Sequence, residues 1–176
     1  MRPHNISLAD KTDVPALEQL VNSAFRGDSS RKGWTTEADL LDGIRIDQDS
    51  LNEMIDAPGS VILKYYEDHV LAGCVYLQKK ESFMYLGMLT VSPEMQNKGI
   101  GKKLMTAAES YALSLECDTI TMTVLNERDE LTDWYKRQGF YFTGELKGFP
   151  AQSKFGIPKK DLFFKVMNKK IKKDSL

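Results

Sequence analysis

The chain has 176 residues, enough for one domain with a sizeable core and too few for two of ordinary size, so residues 1–176 read as one domain. Its 24 Lys and Arg stand against 25 Asp and Glu, which leaves no overall field to favour a nucleic acid or an anionic membrane as partner. Two cysteines make no disulfide framework, no Cys/His group has metal-ligand spacing, and no run is long and apolar enough to span a bilayer, so a reducing, cytoplasmic setting without a metal centre is expected.

In chain order, Asn5 to Ala9 reads as a short strand, after which Asp13 and Pro15 mark a helix start. Leu17, Leu20, Val21, Ala24 and Phe25 form its apolar face, and Gly27 closes it. Thr36 with Asp39, and Ser50 with Glu53, have the spacing of capping boxes. Each predicts a short helix, the first with Leu40, Leu41 and Ile44 as apolar members, the second with Leu51, Met54 and Ile55 and a stop at Ala57-Pro58-Gly59. Strand patterns at 61–66, 70–79 and 83–91 follow, with turn signals at Glu67-Asp68 and Lys80-Glu81, and predict an antiparallel meander. Ile100, Leu104, Ala107, Ala108, Tyr111 and Leu115 then recur at helical spacing. Thr119 to Leu125 alternates as a strand, and the helix before it requires it to run parallel to the strand ending at Val91. A helix from Asp129 to Gln138 is closed by Gly139, and strands at 140–146 and 162–167 complete a mixed sheet in a layered α/β (α+β) fold. Lys169, Lys170, Lys172 and Lys173 read as a solvated tail rather than a nucleic-acid surface.

The stretch from Leu86 to Leu104 joins an apolar strand to an amphipathic helix through a polar loop holding Gly99 and Gly101. A helix start leaves backbone N–H groups without partners and carries partial positive charge, so it favours a phosphate, and glycines let backbone approach closely. Lys98, Lys102 and Lys103 add charge there, although lysines at a helix start also serve as a solvated face. Two nucleotide fingerprints fail on spacing: no hydroxyl residue follows the lysine as a Walker loop requires, and Leu104 occupies the third small position of a dinucleotide loop.

Gln96-x-x-Gly99-x-Gly101 after Leu89-Thr-Val91 does resemble the acyl-CoA pyrophosphate loop of the GNAT superfamily of N-acyltransferases. Asn126 after the next strand and Tyr135-x-x-x-Gly139-Phe140 at the end of the next helix match in order downstream. The resemblance covers Val61 to Met167 well and the first third in outline. It implies a mostly antiparallel sheet of about seven strands with a central splayed parallel pair, flanked by helices. It implies acetyl-CoA as co-substrate, bound by Leu89, Thr90, Val91, Gln96, Asn97, Lys98, Gly99, Ile100, Gly101, Lys102, Asn126 and Tyr135. By the same likeness the Leu89 N–H is the oxyanion donor and Tyr135 the general acid for the leaving thiolate, while Asn126 hydrogen-bonds the pantetheine arm. A packed aromatic and a turn residue are the plainer readings of Tyr135 and Asn126.

The implied activity is direct transfer of an acetyl group to a primary amine of a small molecule or peptide, with an acyl-CoA-binding protein of little turnover as the alternative. The resemblance leaves room for a homodimer. Where relatives carry a glutamate base the corresponding positions are Tyr85 and Thr121, so an acid from the covering segment (Glu37, Asp39 or Asp42), water or a backbone carbonyl would have to serve. His4 and His69 are given no role, and Cys74 has no paired histidine to make it an acyl carrier. Between Glu37 and Asp56, seven acids (Glu37, Asp39, Asp42, Asp47, Asp49, Glu53, Asp56) face the single base Arg45, which predicts a negative wall and a cationic acceptor, unless the acids merely solvate two helices.

Overall fold

The computed structural model describes residues 5–150 and 154–172. A seven-stranded sheet runs in the order β1-β3-β4-β5-β6-β9-β7, and a separate two-stranded ribbon pairs β2 with β8. The strands are β1 (Ile6–Leu8), β2 (Leu41–Asp42), β3 (Ser60–Glu67), β4 (Val70–Lys79), β5 (Met84–Val91), β6 (Thr119–Leu125), β7 (Tyr141–Gly148), β8 (Ile157–Pro158) and β9 (Phe163–Lys170). The helices are α1 (Val14–Phe25), α2 (Gln48–Asp56), α3 (Ile100–Ser114) and α4 (Asp129–Arg137). β3, β4 and β5 form the expected antiparallel meander, and β6 is parallel to β5.

Strand alternation sorts the side chains into two cores. Ile62, Cys74, Tyr76 and Met88 pack against α1 and α2, while Leu63, Tyr65, Val75, Leu77 and Leu86 pack against α3 on the opposite face. β4 is therefore buried on both sides, which accounts for its unbroken apolar run. Gly73 lies where α3 presses closest: a Cβ there would sit 2.9 Å from both the Thr90 carbonyl and a Leu104 methyl. The C-terminal lysines are partly structural, since Lys169 and Lys170 belong to β9 and Lys169 is ion-paired with Glu109. Lys173 lies outside the described residues, as does His4; His69 sits in the β3–β4 turn at φ 66°.

Two local expectations fail for tertiary reasons. The Thr36–Asp39 box opens no helix, because Thr36 is bonded to the Ser30 hydroxyl, Asp39 pairs with Arg31, and the chain goes on to pair as β2 with β8. The second helix starts at Gln48 rather than after Ser50, because Asp47 is the true cap and accepts the Ser50 N–H at 2.8 Å.

Leu104 is fully buried between α3 and the sheet. Leu104→Ala should lower unfolding free energy by about 2–5 kcal/mol through lost burial and a residual cavity, read as an earlier urea midpoint at unchanged m.

Candidate active site

A cleft of about 920 Å³ opens where β5 and β6 part company. The two strands pair only at Met84↔Ile120 and Tyr85↔Thr121, while on its other edge β6 pairs with β9 along its whole length. A bulge in β5 drives the separation. On β4, Cys74 faces Thr90 and Tyr76 faces Gly87, so Met88 and Leu89 together oppose Val75. Met88 takes the left-handed conformation at φ 54°, rare for a side chain of its size. The Thr90 hydroxyl closes the kink by donating to the Met88 carbonyl at 2.9 Å. Leu89 and Val91 line the cleft beyond the bulge, whereas Thr90 is buried and is not among the lining residues.

At the end of β5 the chain makes a polar turn into α3. The left-handed residues are Asn97 (φ 67°) and Gly99 (φ 80°), not Gly101. Gly99 caps α3 without any side-chain hydrogen bond, and the Lys103 N–H is bonded back to Gly99 at 3.1 Å. Gln96, Asn97, Gly99, Ile100, Gly101 and Lys102 line the cleft, while Lys98 is exposed outside the lining. Gly101 matters for width: a Cβ there would stand 3.4 Å from the Trp134 indole on the opposite wall. Gln96 is committed to the protein itself. Its carbonyl oxygen accepts the Trp34 N–H at 2.7 Å, and its amide donates to Thr35 Oγ1 at 2.8 Å and to the Val91 carbonyl at 3.1 Å. It thus latches the 33–35 segment to the turn, a role that spacing alone could not reveal.

Tyr135 is buried and lines the same cleft, packed edge-on against Trp134 and Phe140 with ring centroids at 5.0 and 5.5 Å. Its hydroxyl makes no hydrogen bond among the described residues. Burial pushes its pKa up, with Arg128 opposing and Tyr85 reinforcing, so the phenol stays protonated above the usual range. Asn126 stands apart. Its N–H donates to the Phe163 carbonyl at 2.9 Å and its side-chain oxygen accepts the Phe163 N–H at 3.0 Å, which splices β6 to β9 outside the cleft lining. Cys74 is fully buried with its thiol pushed up to about 12 by desolvation, and so is inert as a nucleophile. Tyr85 reaches into the cleft, its ring lying over Gly87, and Thr121 is spent on Asn168.

The expected acidic wall is not there. Of the seven acids only Glu37 lines the cleft, and both its oxygens are taken: Oε1 by Arg26 Nε and Oε2 by Arg128 Nη1, each at 3.1 Å. Asp39 and Asp42 pair outside with Arg31 and Lys159, and Asp47 caps α2. Burial lowers the Arg26 pKa, and Glu37 opposes that shift. Arg26 and Arg128, buried at the ends of α1 and α4, were not singled out from sequence, where each reads as an ordinary helix-end charge.

Residues 37–150 match the family described as acetyltransferase (GNAT) domain, well over half of the chain. The chain belongs to the GNAT acetyltransferase family. Solved structures agree in fold. The ribosomal-protein-S18-alanine N-acetyltransferase of Escherichia coli matches at 13% identity over 97% of each chain, with a TM-score of 0.71. The ribosomal-protein-alanine N-acetyltransferase of Brucella melitensis matches at 18% identity over 94% of this chain and 99% of its own, with a TM-score of 0.70. A Bacillus anthracis protein whose name assigns it provisionally to streptothricin acetylation was crystallised with acetyl coenzyme A; it matches at 20% identity over 69% of this chain and 68% of its own, with a TM-score of 0.58. Acetyl-CoA is the co-substrate of the GNAT family. The parted strands, the left-handed turn and the bare wall at Gly101 fit a long, phosphate-bearing co-substrate. Among the described residues no His, Cys, Asp and Glu group could hold a metal ion, and no helix is long and apolar enough to cross a membrane.

Gly101→Val would set a branched side chain against Trp134 across this waist. Calorimetry should show CoA affinity falling by at least about tenfold, or about 1.4 kcal/mol, in a protein that keeps its fold.

Proposed function

We propose that this protein is an N-acetyltransferase that moves the acetyl group of acetyl-CoA directly onto a primary amine of a small molecule or peptide. The observation that carries the reading is the Tyr135 hydroxyl: the tip of a buried ring, held protonated, and uncommitted among the described residues on the wall of a cleft that also exposes Leu89 and the Gly99 turn. In this reading the turn from Asn97 to Lys102 holds the pyrophosphate through its N–H groups, and the edge of β5 at Leu89 and Val91, freed from β6, pairs with the pantetheine arm. The neutral amine attacks the thioester carbonyl carbon. The oxygen gains negative charge, which the Leu89 N–H stabilises, and the C–S bond then breaks as Tyr135 gives its proton to the departing sulfur.

Glu37 has both oxygens on guanidiniums, and the other lining carboxylates, Glu130 and Asp133, are exposed on α4. No buried carboxylate among the described residues is therefore uncommitted for the amine's proton, and solvent takes it. The acceptor thus has to arrive or become neutral in the cleft. Thiol-reagent detection of CoA release over a panel of amines tests the proposal; tight CoA binding with no amine-dependent release would favour an acyl-CoA-binding protein.

Tyr135→Phe should lower kcat on the order of a hundredfold while moving the acetyl-CoA KM little, since the hydroxyl is needed when the thiolate leaves. The pH profile of kcat/KM provides a separate check. It should rise as the amine deprotonates, and because the Tyr135 pKa is raised, show no falling limb near about 10, where an ordinary phenol would lose its proton.

A further inference from the structure

The acceptor end of the cleft collects three guanidiniums and one buried carboxylate. Arg26 follows α1, Arg45 stands in the segment before α2, and Arg128 caps α4, yet all three line the cleft together with Glu37. Two of them are satisfied by the protein. Arg26 binds Glu37 through Nε and the Ile44 carbonyl through Nη1 at 2.9 Å, and Arg128 binds Glu37 through Nη1 and the Thr35 carbonyl through Nη2 at 2.6 Å. With Glu37 they form a triad of formal charge +1.

Arg45 adds a further positive charge. Among the described residues its guanidinium makes no hydrogen bond and no ion pair; it only rests over the Phe25 ring, its Cζ 6.0 Å from the centroid. Arg128 Cζ lies 5.9 Å from the same centroid, so Phe25 anchors both. The backbone beneath Arg45 is held still: Asn22 Oδ1 accepts the Arg45 and Ile46 N–H groups at 2.7 and 3.1 Å, and its amide returns a bond to the Ile46 carbonyl at 3.0 Å. Its neighbour Ile46 packs in one apolar cluster with Phe25, Cys74 and the Met88 of the β5 bulge, so Arg45 lines the cleft on the side where β5 bulges rather than at the Gly99 turn. A half-buried, pre-positioned guanidinium beside two others is a site for an anion, and its planar fork suits a carboxylate. Aromatic side chains line the same cleft: Phe25 beneath the guanidinium, and Tyr85, Phe149 and Phe164 on its walls, with Phe149 stacked on Phe164 at 5.5 Å.

We propose that Arg45 is a specificity-determining residue that binds a carboxylate on the acceptor, so that the amine acetylated here belongs to the class of apolar or aromatic amino acids rather than to cationic polyamines. This rests on the transferase reading for its chemistry but not for its geometry. The amine end meets the thioester beside Leu89, the carboxylate meets Arg45, and the side chain lies against the phenylalanines.

The test measures binding first, so that it does not depend on turnover. N-Acetylphenylalanine and N-acetylphenethylamine differ by the carboxylate alone, and each is titrated by calorimetry into CoA-loaded protein. The wild type should bind the carboxylate compound at least about tenfold more tightly, the scale of a hydrogen-bonded charge. Arg45→Gln should bring the two to near equality, and Arg45→Lys should restore part of the difference. Equal binding by the wild type, or a preference that survives Arg45→Gln, overturns the proposal. Kinetics with phenylalanine and phenethylamine gives the second measure. The ratio of their kcat/KM values should fall in Arg45→Gln through the acceptor KM, while the acetyl-CoA KM stays within about twofold; taking the change in ratio between variants cancels the difference in amine basicity. A rise confined to the acetyl-CoA KM would assign Arg45 to the co-substrate and refute the proposal. Selective binding without acetylation would sustain the anion site and refute the transferase reading instead, so the two failures are distinct.

Discussion

Two residues of β5, Met88 and Leu89, facing one residue of β4 determine most of what this molecule can do. A regular strand at that place would go on pairing with β6 and close the sheet. The bulge turns β5 aside, its ladder with β6 stops after Tyr85↔Thr121, and the unpaired backbone beyond it lines a cleft instead of a core. The left-handed Met88 carries a local cost, and three contacts hold it: burial of its side chain among α1 and α2, the Thr90 hydroxyl on its carbonyl, and Cys74 beneath. The same feature aligns the last residues of β5 with the start of α3, so strand edge and anion-favouring turn share one cavity.

The second wall is built from the first third of the chain, and it is attached electrostatically. Glu37 bridges Arg26 and Arg128, which ties the end of α1 to the start of α4, and Gln96 fastens Trp34 and Thr35 to the end of β5. Removing one member of such a buried set leaves an uncompensated charge, so the set is costly to break even though its net contribution to stability is small. It also explains why the acids of this region do not make a negative cleft. The one that enters is neutralised twice over, and the cavity ends with more arginine than carboxylate. The chain as a whole is nearly neutral, so its long-range field is weak, and the buried arginines act at short range where screening is weakest.

In the mechanism we propose, packing prepares Tyr135 as the proton donor. Trp134 and Phe140 fix its ring edge-on, burial keeps its proton in place, and the cleft leaves its hydroxyl the one part not spent on the fold. Gln96, equally conspicuous in the sequence, has both ends of its side-chain amide taken by Trp34, Thr35 and Val91, and the Asn126 side-chain oxygen is taken by Phe163. The family resemblance pointed to all three, but only the partners in space show which of their polar atoms the fold itself uses.

What the sequence by itself determined were the features whose physics is local. The apolar run of β4, the alternation along β6, the helical face of α3, and turn residues at Gly59 and Gly139 each depend on neighbours a few positions away, and the meander, the parallel crossover and the glycine-bearing turn were legible from them. Only the tertiary structure decided the rest. Thr36 and Asp39 carry a capping pattern, yet Ser30 and Arg31 claim their side chains and β8 claims the strand that follows. Seven acids in one stretch suggest a negative wall, but Glu37, Asp42, Asp47 and Asp56 are paired with Arg128, Lys159, Lys154 and Lys11, all far away in the chain. The charge at the arginine-rich end of the cleft is a sum over residues 26, 37, 45 and 128, and no window short enough to show periodicity contains them all.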